Sequence, residues 1–222
     1  MGFDKSTITV VLAGPAAARR FDPVAQCPAD QPRWRQINSE RRRLDWMVSR
    51  SLLAGTAALP GRVASLSHSN GYAAAAITSA PQRLGVDLEF IRPRDVVSLA
   101  KLAFPDQESA YIESLTGHAR LRHFYALWTV KEAVAKALQL GLHATLRGCS
   151  IVTGADGWHA SGPTGEPWYA QVFAPAESLV LAIVWHSPAT APGAERTVLQ
   201  REWPRNGCRS WQRIAHIRPQ SA

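Results

Sequence analysis

Two short segments constrain this chain most. One is a predicted strand with two acidic residues, and the other is a predicted helix with a glutamate and a lysine on one face. In the segment GVDLE, the alternation of apolar and acidic residues predicts a strand with Asp87 and Glu89 on one face. In the segment WTVKEAVAK, the four-residue spacing of Trp128, Glu132 and Lys136 predicts one face of a helix. This helix is expected from about 121 to 140, with Gly141 as its terminator. If these two faces meet, three carboxylates and one ammonium group lie together.

Three converging carboxylates predict a site for a hard divalent cation. Mg²⁺ prefers oxygen ligands and keeps places for water and phosphate oxygens, and Mn²⁺ is the alternative ion. Lys136 would then hold a phosphate as a point charge. Taken separately, the two segments also fit a solvated strand face and a salt bridge on a helix surface.

A third segment lies upstream and reads SHSNGY at 67–72, directly before the small apolar run 73–78. Its Ser-His part is predicted to form a loop between strands at 63–66 and 72–78. The order of the three segments resembles that of the 4′-phosphopantetheinyl transferases. The resemblance is to the long, pseudo-dimeric type that acts on carrier proteins of peptide and polyketide synthases. It covers about residues 40–187 and includes Phe124-Tyr125, just upstream of the WTVKEAVAK segment.

The resemblance implies an α+β fold of two similar subdomains related by a pseudo-twofold axis. Each would be a small, mainly antiparallel sheet with helices, and the active site would lie in the cleft between them. The expected division is 1–84 for the first subdomain, 85–188 for the second, and 189–222 for a tail. This tail is rich in Arg and contains two Trp, so we predict a disordered basic extension, with a short docking helix as the alternative.

The resemblance also implies a reaction of the holo-[acyl-carrier-protein] synthase type. Phosphopantetheine would move from coenzyme A to a serine of an apo acyl or peptidyl carrier protein, and adenosine 3′,5′-bisphosphate would leave. The implied metal ligands are Asp87, Glu89 and Glu132. Glu132 is also the candidate general base, acting directly or through a water molecule, and Lys136 would hold the pyrophosphate.

Coenzyme A contacts are expected from the first half of the chain. By the resemblance, His68 contacts a phosphate, with Ser67 beside it. A basic helix is predicted over 40–54, and Arg43 and Arg50 are candidates for the 3′-phosphate because guanidinium forks match phosphate oxygens. The alternative is that these arginines form a solvated helix face. No Gly-Lys-Pro-like segment precedes the Ser-His segment, so adenine contacts stay unassigned.

Two other charged residues, Lys131 and Glu108, are interpreted as structural rather than as metal ligands. Lys131 precedes Glu132 but points elsewhere on a helix, so we interpret it as a helper or structural residue. Glu108, in the segment FPDQE, is interpreted as structural. Trp128 is predicted to pack in the core beneath the site.

Composition leaves other functions open. A net charge of +8 attracts polyanions, which include coenzyme A, acidic carrier proteins and nucleic acid. A nucleic-acid-binding protein and a metal-dependent phosphohydrolase are therefore the alternative functions. Against the first, the sequence contains no recognised nucleic-acid motif, so no nucleic-acid partner is expected. No Walker loop or Gly-x-Ser-x-Gly elbow occurs either.

Cysteine usage and hydropathy predict a cellular location. The three cysteines are widely spaced, with no Cys-x-x-Cys pair, which favours free thiols in a reducing compartment. The apolar run 8–18 is interrupted by Gly14-Pro15, so we expect a first strand there rather than a signal peptide. The expectation is a cytoplasmic monomer without a membrane partner, serving secondary metabolite biosynthesis.

Overall fold

The computed structural model describes residues 7–79, 83–154, 157–162, 164–186, 196–204, 207–208 and 210–219. Its helices are α1 (Gln31–Gln36), α2 (Glu40–Thr56), α3 (Val96–Ala103), α4 (Asp106–Ser114), α5 (Gly117–Leu138) and α6 (Leu142–Gly148). Its strands are β1 (Thr7–Ala13), β2 (Arg62–Ser69), β3 (Tyr72–Thr78), β4 (Leu84–Phe90), β5 (Ser150–Gly154), β6 (Gly157–Ser161), β7 (Trp168–Ala176), β8 (Leu179–His186), β9 (Thr197–Trp203), β10 (Gly207–Cys208) and β11 (Gln212–Pro219). The predicted α+β class is confirmed, with two mainly antiparallel sheets.

The chain divides into two compact units. The first comprises Met1–Ala80 and Thr197–Ser210, and the second comprises Pro81–Arg196 and Trp211–Ala222. The main boundary lies close to the predicted one after residue 84. The segment after 188, however, contributes to both units instead of forming a separate tail.

The first unit is built on a five-stranded sheet in the order β10-β9-β1-β3-β2. Strand β1 pairs antiparallel with β3 and parallel with β9. The alanine run of β3 is fully buried, and its small side chains let α2 pack closely through Val48 and Leu52. A 3-10 turn at Pro15–Arg20 also lies against α2.

The second unit is built on a six-stranded sheet in the order β4-β8-β7-β11-β6-β5. Helix α5 packs on β4 and β8, and β8 is buried along nearly its whole length. Because α5 covers the face of β4 that carries the acidic residues, β4 is buried on both faces rather than half exposed. A strand at the sheet edge thus holds carboxylates in a partly buried setting.

Helix α5 starts and ends at different residues from those that the sequence predicts. The pattern predicted a helix from about 121 to 140 with Gly141 as its terminator, whereas the helix begins at Gly117 and ends at Leu138. Gln139 adopts the left-handed conformation with φ 56°, and the Leu140 N–H donates to the Ala135 carbonyl. The helix therefore ends with a left-handed C-cap at Gln139, a position where glycine is more common.

The segment after residue 188 contains strands where the sequence predicted a disordered extension. Strand β9 runs parallel to β1, and β11 lies between β7 and β6. Ile217 is completely buried, and the ring centres of Trp211 and Phe173 lie 6.0 Å apart. The many arginines of this segment favoured the prediction of disorder. The segment also contains a short alternation of apolar residues, which is the pattern of a strand with one buried face.

Among the described residues, no helix combines the length and the apolar character needed to cross a bilayer.

Candidate metal and phosphate site

The close approach of α5 to β4 builds the site in the second unit. Gly85 makes this approach possible, since a Cβ atom there would lie 1.9 Å from the Ala133 carbonyl oxygen. With no side chain in the way, the backbone of α5 lies directly against the strand. Asp87 then faces the helix and is only 2% exposed.

The structure brings the three candidate metal ligands together. One carboxylate oxygen from each of Asp87, Glu89 and Glu132 lies within 4.8 Å of the other two. Asp87 is buried, whereas Glu89 and Glu132 are partly exposed. This donor set consists of hard oxygens only, so it fits Mg²⁺ or Mn²⁺ rather than a softer metal.

The electrostatics at Glu132 reflect the crowding of three carboxylates. Burial, followed by the neighbouring charges of Asp87 and Glu89, raises the pKa of Glu132 to about 7. Lys136 and a hydrogen bond with Trp128 act in the opposite direction without cancelling this rise. A divalent cation among the three carboxylates would relieve their mutual repulsion.

Lys136 lies one helical turn beyond Glu132 and joins the cluster. Its Nζ donates to Asp87 Oδ1 at 2.8 Å and to the Val86 carbonyl at 3.1 Å. The side chain is still 34% exposed, so its ammonium group remains accessible to an anionic ligand. A cavity of about 270 Å³ adjoins it, lined by Glu132, Ala135, Lys136, Leu140 and Leu142.

Lys131 points away from this cluster into the protein interior. Its fully buried Nζ lies 2.9 Å from Glu108 Oε2 and also donates to the carbonyls of Leu146 and Cys149. Glu108 Oε1 in turn accepts the Ile151 N–H at 2.7 Å. These contacts agree with the structural interpretation of both charged residues and join α5 to α4 and to the chain around β5.

The Ser-His segment lies in a strand, not in the loop that the sequence predicted. Ser67 and His68 belong to β2, and their partners on β3 are two of its alanines. The turn is confined to Asn70 and Gly71, whose φ angles of 52° and 80° are typical of a tight hairpin turn. Ser67 is buried, whereas the His68 side chain is 48% exposed.

The two candidate arginines of α2 make contacts within the first unit. Arg50 forms two hydrogen bonds with Asp30, at 2.7 and 3.2 Å, and its guanidinium lies 4.0 Å from the Trp46 ring centre. Arg43 Nε donates to the Ile37 carbonyl at 2.8 Å. These groups hold the chain around α1 against α2, and their binding of the 3′-phosphate stays a prediction.

Sequence reasoning missed Asp45, a largely buried carboxylate of α2. Its Oδ1 accepts a short hydrogen bond from the Gly71 N–H, and its Oδ2 lies 4.0 Å from His68 Nδ1. A signal was present, because Asp45 precedes the buried Val48 and Leu52 by three and seven residues and so falls on the apolar stripe of the helix. An acidic residue on such a stripe needs a partner in the interior.

Comparison with known proteins bears on the second unit above all. Residues 83–184 match the model of the 4′-phosphopantetheinyl transferase superfamily. The chain is 30% identical over 141 residues to a 4′-phosphopantetheinyl transferase of Bacillus subtilis, covering 62% of this chain and 61% of that protein. It is 39% identical over 83 residues to the 4′-phosphopantetheinyl transferase HetI of Nostoc sp., covering 37% and 35% respectively.

A further relative is a 4′-phosphopantetheinyl transferase named gsp from Aneurinibacillus migulanus. It is 31% identical over 78 residues, which cover 35% of this chain and 32% of that protein. The chain thus spans less than two thirds of the length of each of these relatives. The family resemblance carried by the three sequence segments is confirmed.

Proposed function

We propose, on the premise that residues 83–184 belong to the 4′-phosphopantetheinyl transferase superfamily, that this protein activates carrier proteins. It would transfer 4′-phosphopantetheine from coenzyme A to a serine of an apo acyl or peptidyl carrier protein. The observation that carries the proposal is the cluster of Asp87, Glu89 and Glu132 with the accessible ammonium of Lys136 beside it. This arrangement offers a divalent-cation site and a phosphate-binding cation on one surface.

The reaction requires a nucleophile, charge neutralisation and a leaving group. The serine Oγ attacks the β-phosphorus of coenzyme A, a new P–O bond forms, and the bond to the bridging oxygen breaks. Adenosine 3′,5′-bisphosphate leaves with that oxygen. Mg²⁺ held by the three carboxylates would supply Lewis-acid polarisation of the pyrophosphate.

The chain's own residues have separate tasks in this step. Glu132 accepts the serine proton, directly or through a water molecule. Lys136 holds the pyrophosphate and offsets charge that develops on the leaving group. Asp87 positions Lys136 through their 2.8 Å contact.

In this proposal the first unit offers its own candidate contacts for coenzyme A. His68 is half exposed on β2 and would donate to a phosphate, with Ser67 next to it. Arg43 and Arg50 would add positive charge for the 3′-phosphate. Further exposed arginines of the same unit lie at 33, 35, 41 and 42.

We also infer the setting in which the protein acts. Its net charge of +8 complements an acidic carrier protein. Cys27 and Cys149 are free thiols, which supports a cytoplasmic location. The protein would act as a monomer on carrier domains of secondary metabolite synthases, with Mg²⁺ or Mn²⁺ as its ion.

Intact-protein mass spectrometry of an apo carrier protein tests this proposal. Incubation with the protein, coenzyme A and Mg²⁺ should add one phosphopantetheine, and EDTA should abolish the gain. Glu89→Gln should abolish it too, whereas Glu177→Gln, which alters an exposed carboxylate in the turn before β8, should not.

Other outcomes would favour the alternative functions. No gain on several acyl and peptidyl carriers, with a folded protein, would contradict the proposal. Release of phosphate from simple esters without transfer to protein would indicate a phosphohydrolase. Salt-dependent binding of DNA or RNA without affinity for coenzyme A would indicate a nucleic-acid-binding protein.

A further inference from the structure

We propose that Asp45 is a positioning residue that holds His68 in the orientation needed to bind a phosphate group of coenzyme A. This inference rests on the proposed function, and it adds a residue that the three recognised segments do not contain. All the contacts that support it lie within the first unit, between α2 and the hairpin formed by β2 and β3.

Asp45 is placed where a carboxylate is costly unless it has partners. It lies on the buried side of α2, with only 12% of its side chain exposed, next to Leu44. A charge in such a place is tolerated when hydrogen bonds replace its lost hydration. The Gly71 N–H provides one of these, donated to Oδ1.

This hydrogen bond fixes the tip of the hairpin against α2. Gly71 has a φ of 80°, and a Cβ there would lie 2.8 Å from Leu44 Cδ2 and 3.4 Å from the Pro15 ring. The tip is therefore held by packing as well as by Asp45. Because His68 is only three residues before Gly71 in the same hairpin, fixing the tip also fixes the backbone of His68.

The second carboxylate oxygen of Asp45 faces the imidazole ring. His68 Nδ1 lies 4.0 Å from Asp45 Oδ2, while 48% of the His68 side chain remains exposed. The ring thus turns Nδ1 toward the carboxylate, and Nε2 is the nitrogen left to meet an incoming anion. A carboxylate behind one ring nitrogen selects which nitrogen the ligand uses, as carboxylates do behind metal-binding histidines.

The test compares coenzyme A binding and turnover in a set of variants. Asp45→Asn keeps an oxygen for the Gly71 N–H but removes the charge, whereas Asp45→Ala removes both. The set also includes His68→Ala and the double variant Asp45→Asn/His68→Ala. Glu40→Gln is the matched control, because it neutralises an exposed carboxylate at the start of the same helix.

If Asp45 acts through His68, its effect should fall on coenzyme A alone. We expect Asp45→Ala to raise the coenzyme A KM about tenfold, and Asp45→Asn to raise it less, with kcat and the carrier KM nearly unchanged. The double variant should bind coenzyme A no more weakly than His68→Ala, because two residues acting in one contact are not additive. Glu40→Gln should match the wild type.

Three results would overturn the inference: additive losses in the double variant, an equal rise in both KM values, or unchanged coenzyme A affinity in both Asp45 variants. Should Asp45→Ala fail to fold, Asp45→Asn and the double variant still decide the matter. Titration calorimetry with coenzyme A separates this inference from the proposed function. Wild-type protein that binds coenzyme A but transfers nothing contradicts the function and leaves the Asp45 comparison valid, whereas no binding contradicts both.

Discussion

At the scale of single residues, Glu132 carries two proposed tasks. It shares the carboxylate cluster with Asp87 and Glu89, and it is the candidate acceptor of the serine proton. The two tasks are compatible, because a carboxylate has two oxygens and can face a cation with one of them.

Glu132→Gln should therefore reduce transfer by about a hundredfold or more, since both a ligand charge and a proton acceptor are lost. Carrier loading followed by mass spectrometry measures this directly. The variant should remain folded, because Gln has nearly the same shape. Activity close to that of the wild type would remove Glu132 from both tasks.

Lys131, its neighbour, should matter for stability instead. Lys131→Met leaves the Glu108 carboxylate buried with no cationic partner, which should lower the free energy of unfolding by about 3–5 kcal/mol. Urea denaturation provides the measurement. Arg147→Ala serves as the control, because this exposed cation on α6 donates to the Leu102 and Lys101 carbonyls and its loss should cost much less.

The pH dependence of the Lys131→Met loss has a definite sign. Burial raises the pKa of Glu108 even with Lys131 present, and Lys131 opposes this rise. Without Lys131 the carboxyl would take up a proton in the folded state at higher pH than in the unfolded state, so stability would fall as pH rises above about 4.5. The loss should be larger at pH 8 than at pH 5, and a loss independent of pH would argue against a buried charge as its cause.

At the scale of secondary structure, the contact between β4 and α5 holds the site together. Gly85→Ala would push a methyl group into the Ala133 carbonyl, so α5 must shift away from the strand. We expect a lower melting temperature together with loss of metal-dependent activity, because Glu132 moves with its helix. Thermal denaturation and carrier loading measure the two effects.

Gly141 is a suitable control for the Gly85 variant. It lies just before α6 with φ −65°, and no atom lies within 4 Å of the position of an added Cβ. Gly141→Ala should therefore leave stability and activity unchanged. An equal effect at both glycines would show that close packing of α5 on β4 is not the cause.

Strand β11 provides a second prediction at this scale. Because it lies between β7 and β6 with Ile217 fully buried, Ile217→Ala should cost about 2–5 kcal/mol of unfolding free energy. Arg213→Ala, in an exposed position of the same strand, should cost little. Chemical denaturation of both variants decides between a sheet strand and a loose extension, for which neither change would matter.

At the scale of the whole molecule, net charge should set the rate at which a carrier protein associates with this protein. The charge of +8 predicts electrostatic attraction of an acidic carrier. Raising NaCl from about 20 to about 500 mM should lower kcat/KM for the carrier about tenfold or more, because salt screens this attraction. Turnover at saturating carrier should change much less, and the opposite pattern would contradict a role for steering.

The two groups of candidate site residues differ in how far the sequence predicted them. Periodicity placed Asp87 with Glu89 on one strand face and Glu132 with Lys136 on one helix face, because each pair lies on a single element. That the two faces meet was implied by the resemblance alone, and the structure brings the four side chains together. The Asp45 contact with the hairpin was not foreseen, since it joins residues of α2 and the β2–β3 turn that no local pattern relates.

What the sequence by itself determined is the two acidic segments and the match of residues 83–184 to a family model, and the resemblance implied the α+β class. These come from short-range patterns, namely alternation in a strand, four-residue spacing in a helix and the order of the segments. Only the tertiary structure decided that β9 and β11 complete two different sheets and that Lys131 is buried while Lys136 is accessible. The physical reason is that sheet pairing and burial depend on partners far along the chain, and a residue's neighbours in sequence carry no record of them.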